Sequence, residues 1–292
     1  MKKVGICYHP KLPDDLGRRI AEELVGVAAQ HVEATWVAPA WDDEATGKHM
    51  PGTDLLVCLG GDGTVLRAAQ LVVANDALLL GVNMGRLGFL TELDAGAAKE
   101  RLPDIINGAG RIEERAMLHA EVVQPGGGNG DKAPAMHDAL NDVVIGRRTL
   151  GRTVQVSVQV DGAPLADLRA DGVIIATATG STAYSLSAGG AILSPESEEI
   201  MMTPLAPHLA SHNSIVLPSR SVIEVRLVVG EATFSVDGER DHDLQAGETV
   251  RVALSPHRVR FLRLGEPTKF YGRLAHRLNW LGEPTRGESS DS

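Results

Sequence analysis

Leu55-Leu56-Val57-Cys58-Leu59-Gly60-Gly61-Asp62-Gly63-Thr64 is the stretch on which the fold turns. Its first five residues form a continuous apolar run, as expected of a strand covered on both faces. A glycine loop follows, and Val65 to Ala74 reads as a helix. A strand that passes through glycines into a helix puts the loop at the carboxyl edge of a parallel sheet, where ligands collect in open α/β folds. Toward the N-terminus, Val4 to Tyr8 is a short apolar run and Ala34 to Val37 reads as a second strand. Between them Leu16, Ile20, Leu24 and Val27 share a helical face behind Pro13-Asp14-Asp15, whose aspartates suit a helix start. Ala77 to Val82 returns as another apolar strand. This β-α-β-α order predicts an α/β N-terminal domain with an open, mainly parallel sheet over residues 1–113.

The character changes near Arg111. His119 to Val123 is strand-like, and Gln124 to Pro134 is a Gly-rich loop expected to be exposed and mobile. Val154, Val156, Val158 and Val160 alternate with polar residues up to Asp161-Gly162, a hairpin signal on a half-buried sheet. Val222 to Leu264 repeats the theme, broken at Val229-Gly230, Asp237-Gly238 and Ala246-Gly247. These runs predict a β-rich domain over residues 114–264. Residues 265–292 are expected to pack back on the N-terminal domain, with a polar, disordered end from Gly287 to Ser292.

Composition narrows the partners. The 292 residues suffice for one large domain or two medium ones, and 43% apolar with 23% charged residues is ordinary globular composition. Aromatics make up 3%, so the cores must rest on Val, Leu, Ile and Ala, and stacking on single-stranded nucleic acid is disfavoured. A net charge of −10, with no Lys/Arg cluster, argues against duplex binding and leaves no nucleic acid among the expected partners. Small anions remain possible ligands, because backbone N–H groups and a few arginines can hold phosphate inside an acidic protein. Cys7 and Cys58 sit in apolar runs and read as buried small hydrophobes, not as a disulfide or a metal pair. No apolar run approaches a membrane span, and Lys2-Lys3 leads straight into a strand, so the expected location is cytoplasmic, with no membrane partner.

Three blocks could carry chemistry. In the first, Gly60, Gly61, Gly63 and Thr64 let backbone approach phosphates, and the helix N-terminus adds positive partial charge. Asp62 would repel a phosphate, which makes sense if its carboxylate faces an acceptor hydroxyl or a phosphate-bound Mg²⁺. The same residues also suit a plain strand-to-helix turn. There is no G-x-x-x-x-G-K-[ST], which excludes the usual P-loop. The second block runs from Asp171-Gly172 to Gly189-Gly190, with Thr177, Thr179, Ser181, Thr182, Tyr184, Ser185 and Ser187 around Gly180. It reads either as a turn lining a ligand site or as an ordinary hydroxyl-rich loop. The third is Asn141-Asp142 ahead of Val143-Val144-Ile145. Its carboxylate could take both hydroxyls of a ribose and its amide could read a base edge, although a turn entering a strand looks the same. Arg67, Arg152 and Arg169 taken singly look like solvated surface residues.

Together these blocks resemble the bacterial NAD kinase family. The resemblance lies in Gly60 to Thr64, in Gly81-Val82-Asn83-Met84-Gly85-Arg86-Leu87-Gly88-Phe89-Leu90, in Asn141-Asp142-Val143-Val144, and in Asp171-Gly172 through Thr179-Gly180-Ser181-Thr182-Ala183-Tyr184-Ser185-Leu186-Ser187-Ala188-Gly189-Gly190. It runs from about Val4 to Trp280. The glycine loop alone is shared with phosphofructokinases and with lipid and sphingoid kinases, whereas the long block ending at Gly190 is far more specific. The resemblance implies phosphorylation of the adenosine-ribose 2′-hydroxyl of NAD to NADP, using ATP or polyphosphate with Mg²⁺ or another divalent metal, in a homodimer or homotetramer. It makes Asp62 the proton acceptor and assigns nucleotide contacts to Asp62, Gly63 and Arg67. It assigns dinucleotide contacts to Asn141, Asp142, Arg152, Arg169, Asp171 and the stretch Thr182, Ala183, Tyr184, Ser185, Leu186 and Ser187. No metal ligands from the protein alone are implied. Three positions depart from the family pattern: Glu239 stands where a contacting Gln is frequent, Ala178 where Pro is frequent, and Asp142 where Glu is common.

Two other functions compete. A lipid or sphingoid kinase would share the glycine loop but should show an apolar entry surface, which the sequence lacks. A dinucleotide sensor would bind without turnover, and an Asp62 carboxylate beside phosphates would give it nothing.

Overall fold

The computed structural model describes residues 1–85, 88–123, 136–149, 151–209 and 211–280. The N-terminal part alternates β1 (Lys3–Tyr8), α1 (Leu16–Ala28), β2 (Ala34–Pro39), α2 (Asp43–His49), β3 (Leu55–Gly60), α3 (Asp62–Val73), β4 (Leu78–Asn83), a short β5 (Leu93–Asp94) and α4 (Ala95–Ile106). A long β6 (Arg111–Val123) then leads into β7 (Met136–Ala139), β8 (Asp142–Arg147), β9 (Val154–Val160), β10 (Ala163–Ala170) and β11 (Gly172–Ala176). A 3-10 turn at Gly180–Thr182 and the one-turn α5 (Tyr184–Ser187) precede β12 (Ile200–Leu205), β13 (Ile215–Leu217), β14 (Ile223–Val229), β15 (Ala232–Val236) and β16 (Arg240–Leu244). The long β17 (Thr249–Arg263) and α6 (Lys269–Arg277) close the chain.

The mainly parallel sheet forecast for the N-terminal part is present: β2, β1, β3 and β4 lie side by side, all parallel. Leu55, Val57 and Leu59 of β3 enter the core under α1 and α4, while Leu56 and Cys58 enter the opposite core under α3. This two-sided burial is why β3 is apolar throughout. β17 extends the sheet beyond β4, parallel to it at Arg260 and Phe261. Its earlier half pairs antiparallel with β14, and β6 follows it from Val123 to Arg111. One eleven-stranded sheet therefore runs from β2 to β10, and position 113/114 falls inside β6. A second, six-stranded antiparallel sheet, in the order β13-β12-β11-β8-β15-β16, packs its Val143, Ile145, Val173, Ile175 and Phe234 against the β-rich half of the first.

Local details differ from the sequence reading in instructive ways. The buried seam of α1 is Gly17, Ala21, Leu24 and Ala28, rotated from the apolar stripe, because small residues let the helix approach closely. A Cβ on Gly17 would lie 2.9 Å from the His9 carbonyl oxygen. α1 starts directly behind Asp14 and Asp15, as read, but the two take left-handed backbone (φ 51° and 54°) and make no side-chain capping bond. α3 begins at Asp62, so half of the glycine loop is its first turn. Helices α2 and α4, unread in the sequence, are capped by the Asp42 and Asp94 carboxylates, which accept from Ala45 N (2.9 Å) and Ala97 N (2.8 Å). The hairpin at Asp161-Gly162 forms with both residues at positive φ. Cys7 and Cys58 are free and buried on neighbouring strands, as expected. The Gly-rich stretch 124–134 and the polar end lie outside the described residues. Among the described residues no helix is long and apolar enough to cross a membrane.

Candidate active site

The strand β3 delivers the chain to its carboxyl edge at Gly60, where a Cβ would sit 2.2 Å from Thr64 Oγ1. The Gly61 carbonyl accepts from Thr64 N (3.0 Å) and Val65 N (3.1 Å), starting α3. A Cβ on Gly61 or Gly63 would meet nothing within 4 Å, so the first turn of the helix presents bare backbone to open space. That is the arrangement an anionic group can approach, since the leading N–H groups of a helix lack intrahelical partners.

Asp62 is aimed from the opposite side. Its Oδ2 accepts Phe89 N–H (3.0 Å) and its Oδ1 accepts Leu90 N–H (3.0 Å). Gly88 makes this approach possible, because a Cβ there would lie 2.0 Å from Oδ1. The segment after β4 thus holds the carboxylate that the loop after β3 supplies. Each oxygen keeps a second lone pair for a proton. Arg277 of α6 lies close by, Nη1 4.0 Å from Oδ2, with its guanidinium carbon 4.9 Å from the centre of the Phe89 ring. Arg86 and Leu87, between the two motif halves, lie outside the described residues.

A second group forms where β8 begins. The Asp237 carboxylate accepts N–H bonds from Leu140 (2.9 Å), Asn141 (2.7 Å) and Asp142 (3.2 Å), tying the β15–β16 turn to this corner. Thr177 N donates to Asn141 O (2.9 Å), and a Cβ on Gly180 would lie 2.0 Å from that oxygen. The hydroxyl-rich block therefore lies directly on Asn141-Asp142. Asp142 is buried, and burial together with the Asp237 charge pushes its carboxyl up to about 7. Burial likewise raises Asp237, to about 6, against the three N–H bonds, and Glu239 adds to the rise. Glu239 itself is exposed in the turn beside Asp237.

Within the hydroxyl block the buried side chains turn inward. Ser181 Oγ donates to Ala178 O (2.6 Å), Thr182 Oγ1 to Thr179 O (3.1 Å), and Ser185 Oγ pairs with Thr203 Oγ1 (2.9 Å). They shape the turn, while Tyr184 and Ser187 are exposed and Ala183 and Leu186 half-buried beside them.

Three expected residues gather elsewhere. Asp171 pairs with Arg147 (3.1 Å), Arg169 Nε donates to Thr153 Oγ1 (2.9 Å), and Arg152 is exposed next to them. They sit at the far end of β11 from Thr177, with Asp171 roughly 20 Å away at ~3.3 Å per residue. Within one chain the structure does not bring them to Asn141-Asp142. Arg67 lies on α3, buried, with Nε donating to Ala40 O (3.3 Å) and Nη2 paired with Asp43.

A buried relay joins the first two groups, and the sequence did not reveal it. Arg263 Nη1 donates to Leu90 O (2.9 Å) and its Nε to Glu113 Oε1 (3.0 Å). Arg115 Nε donates to the same oxygen (2.9 Å) and its Nη1 to Thr179 Oγ1 (3.1 Å). Burial alone would raise Glu113, but Arg263, Arg115 and Arg111 overcome it and bring its carboxyl down to about 2. The backbone that holds Asp62 is thereby keyed to the turn that covers Asn141.

Family comparison settles what this site belongs to. Residues 12–110 match the ATP-NAD kinase N-terminal domain and residues 140–264 the ATP-NAD kinase C-terminal domain. The chain belongs to the NAD kinase family. An NAD kinase of Chloroflexus aggregans is 42% identical over 281 residues, covering 95% of this chain and 99% of that protein. One of Dehalococcoides mccartyi is 36% identical over 286 residues, 97% and 98% of the two chains. Among solved structures, yeast NADH kinase complexed with NADH superposes with a TM-score of 0.81 at 25% identity, covering 100% of this chain and 90% of that one. An NAD kinase from Archaeoglobus fulgidus in complex with ATP gives 0.73 at 25% identity, covering 96% and 100%. As a member of the ATP-NAD kinase family, the chain is a kinase acting on a hydroxyl group, phosphorylating NAD with ATP. The family's two matched ranges contain Asp62 and Asn141 to Glu239, whereas Glu113, Arg115 and Arg277 fall outside both.

Proposed function

We propose that Asp62 accepts the proton of the adenosine-ribose 2′-hydroxyl of NAD while that oxygen attacks the terminal phosphorus of ATP. The observation that carries this assignment is the double N–H clamp from Phe89 and Leu90, which fixes the Asp62 carboxylate beside the open backbone of Gly61 and Gly63. The bond from the 2′-oxygen to the γ-phosphorus forms as the bond from that phosphorus to the bridging oxygen breaks. The hydroxyl proton passes to Asp62, and the electron pair of the broken bond leaves on ADP, so NADP and ADP result. Because the transition state is loose, alignment and charge neutralisation matter more than base strength. Asn141 and Asp142 hold the dinucleotide, with the Asp142 carboxylate able to accept both hydroxyls of a ribose. Tyr184, Ser187, Ala183 and Leu186 offer the exposed side of the neighbouring turn, and Glu239 borders the same corner.

Among the described residues no group of three or more His, Cys, Asp or Glu side chains could cage a metal ion. A divalent cation fits as a companion of the donor's phosphates, spreading their charge, with Asp62 the carboxylate of the loop that could share it. Polyphosphate, a chain of the same anhydride links, suits the same bare backbone. Arg152, Arg169 and Asp171 lie at the far end of β11 from Asn141, and a second copy of the chain would bring them to a dinucleotide held there, which favours a homodimer or homotetramer. Gel filtration with light scattering tests that part, and a monomer with full activity would overturn it.

Replacing Asp62 by Asn keeps the size and one N–H bond of the clamp, since an amide nitrogen cannot accept the other, and removes the proton acceptor. In a coupled assay of NADP formation, turnover should fall about 10²-fold or more, in line with general-base contributions. A near-normal rate would sink the assignment.

A further inference from the structure

We propose that Arg277, on the C-terminal helix, is a catalytic residue that supplies positive charge to the phosphoryl group in flight. The inference rests on the reaction assigned to Asp62 above. Phosphoryl oxygens carry negative charge throughout the transfer and Asp62 adds another, so a fixed cation is favoured beside the metal that accompanies the donor, and Gly60 to Thr64 contain no Lys or Arg.

The arginines near the loop are mostly engaged. Arg67 bonds to Ala40 O and pairs with Asp43. Arg115 and Arg263 are buried and share Glu113. Arg273 donates to Thr91 O (2.6 Å) and lies 3.7 Å from Glu92. Arg277 differs from all of them. Its side chain is 52% exposed, and among the described residues it donates no hydrogen bond. Its charged neighbour is Asp62, at 4.0 Å, too far for a hydrogen bond. Among the described residues the fork of guanidinium donors is thus left for an anion, a geometry that suits bidentate phosphate binding.

Its position is also built. Phe89 carries the guanidinium on its ring and donates its own backbone N–H to Asp62, so base and cation hang from one residue. Phe270 packs on the same ring at 5.8 Å between centres, and Arg273 fastens α6 to Thr91. When donor phosphates fill the space over Gly61 and Gly63, the guanidinium can exchange its long contact with Asp62 for direct bonds to the γ-phosphoryl oxygens. That exchange also frees the carboxylate to meet the incoming proton. A plainer role exists, because an arginine in the last turn of a helix complements its dipole, a modest surface effect.

The two roles separate by experiment. Arg277→Ala and Arg277→Gln are compared with wild type in steady-state assays with ATP and NAD varied independently, alongside thermal melts. Charge supplied to the transition state predicts a kcat loss of at least ~10²-fold, below the range seen for arginine fingers. KM for NAD should change by less than about threefold and the melting temperature should hold. Added guanidinium ion should restore activity to Arg277→Ala, which a helix-capping role would not allow. Arg277→Gln keeps the stem over Phe89 and should lose as much kcat, so it decides the matter even if the alanine variant fails to fold. A kcat within about threefold of wild type, or a loss confined to KM for NAD, would overturn the role of Arg277. Wild type inactive with NAD and ATP would instead overturn the reaction itself.

Discussion

At the scale of single residues, the site sets one buried carboxyl against its own solvation. Asp142 would titrate near 4 in water, but burial and Asp237 carry it to about 7. The folded chain therefore holds a proton that the unfolded chain releases, so stability from this group is present below about pH 4 and is lost as pH rises through about 7. Asp142→Asn should accordingly melt higher than wild type at pH 8 and much the same near pH 4, while KM for NAD rises about tenfold or more. Melting curves at several pH values check the first, and a higher wild-type stability at pH 8 would refute it. Gly88 gives a second test. A Cβ there would collide with Asp62 Oδ1, so Gly88→Ala should cost about 10-fold or more in kcat with little change in melting temperature, as small misplacements of reacting groups do. The place of Asp62, between a buried strand and a helix, was legible in the sequence. What holds Asp62 was not, because a backbone N–H from Phe89 or Leu90 has no side-chain signature to read.

At the scale of elements, β6 and β17 matter most, and their pairing was not legible. Arg111, Glu113 and Arg115 alternate along β6, so they share one face of it, and Arg263 lies directly across from Arg111. That register joins residues some 150 positions apart and cannot be inferred from either strand alone. Helices α2 and α4 went unread for local reasons. The buried face of α2 is a single threonine, Thr46, and Pro103 inside α4 looks like a breaker. Yet Ala98, Leu102, Ile105 and Ile106 have helical spacing behind the Asp94 cap, and that signal was available. The strand β3, apolar on both faces, was read correctly for the same reason it is buried. The ionic relay makes its own prediction. The Glu113 carboxyl lies at about 2, below its ordinary 4.5, so the stability it contributes is present above pH 4.5 and is lost as pH falls toward 2. Glu113→Gln should destabilise the chain by ~3–5 kcal/mol at neutral pH, since it strands buried arginines. It should also flatten the acid limb of the stability curve between pH 4.5 and 2. Denaturant titrations across that range measure both effects, and an unchanged acid limb would show that the relay carries no such charge.

For the whole molecule, the decisive feature is that the first sheet is not finished by the first 110 residues. Its strand β4 meets β17 at Leu78 and Leu79, and the core under α3 includes Met117, Leu140, Val259 and Phe261 beside Leu56, Val65 and Ala69. Phe261 is fully buried there, with the Arg263 guanidinium over its ring at 4.7 Å. A chain ending at residue 110 would expose the β4 edge and leave that core without four of its large side chains. Each such loss ordinarily costs a few kcal/mol, comparable in sum with the whole stability of a domain. The candidate catalytic corner depends on the same closure, because the relay from Leu90 to Thr179 passes through Arg263, Glu113 and Arg115. Residues 1–110 expressed alone should therefore show no cooperative thermal transition by circular dichroism, whereas the full chain should unfold in one transition with loss of activity at the same temperature. An isolated fragment that melts cooperatively near the full-length midpoint would mean that β17 merely borders the first sheet. It would then have to hold Asp62 in place without the strand that anchors Leu90.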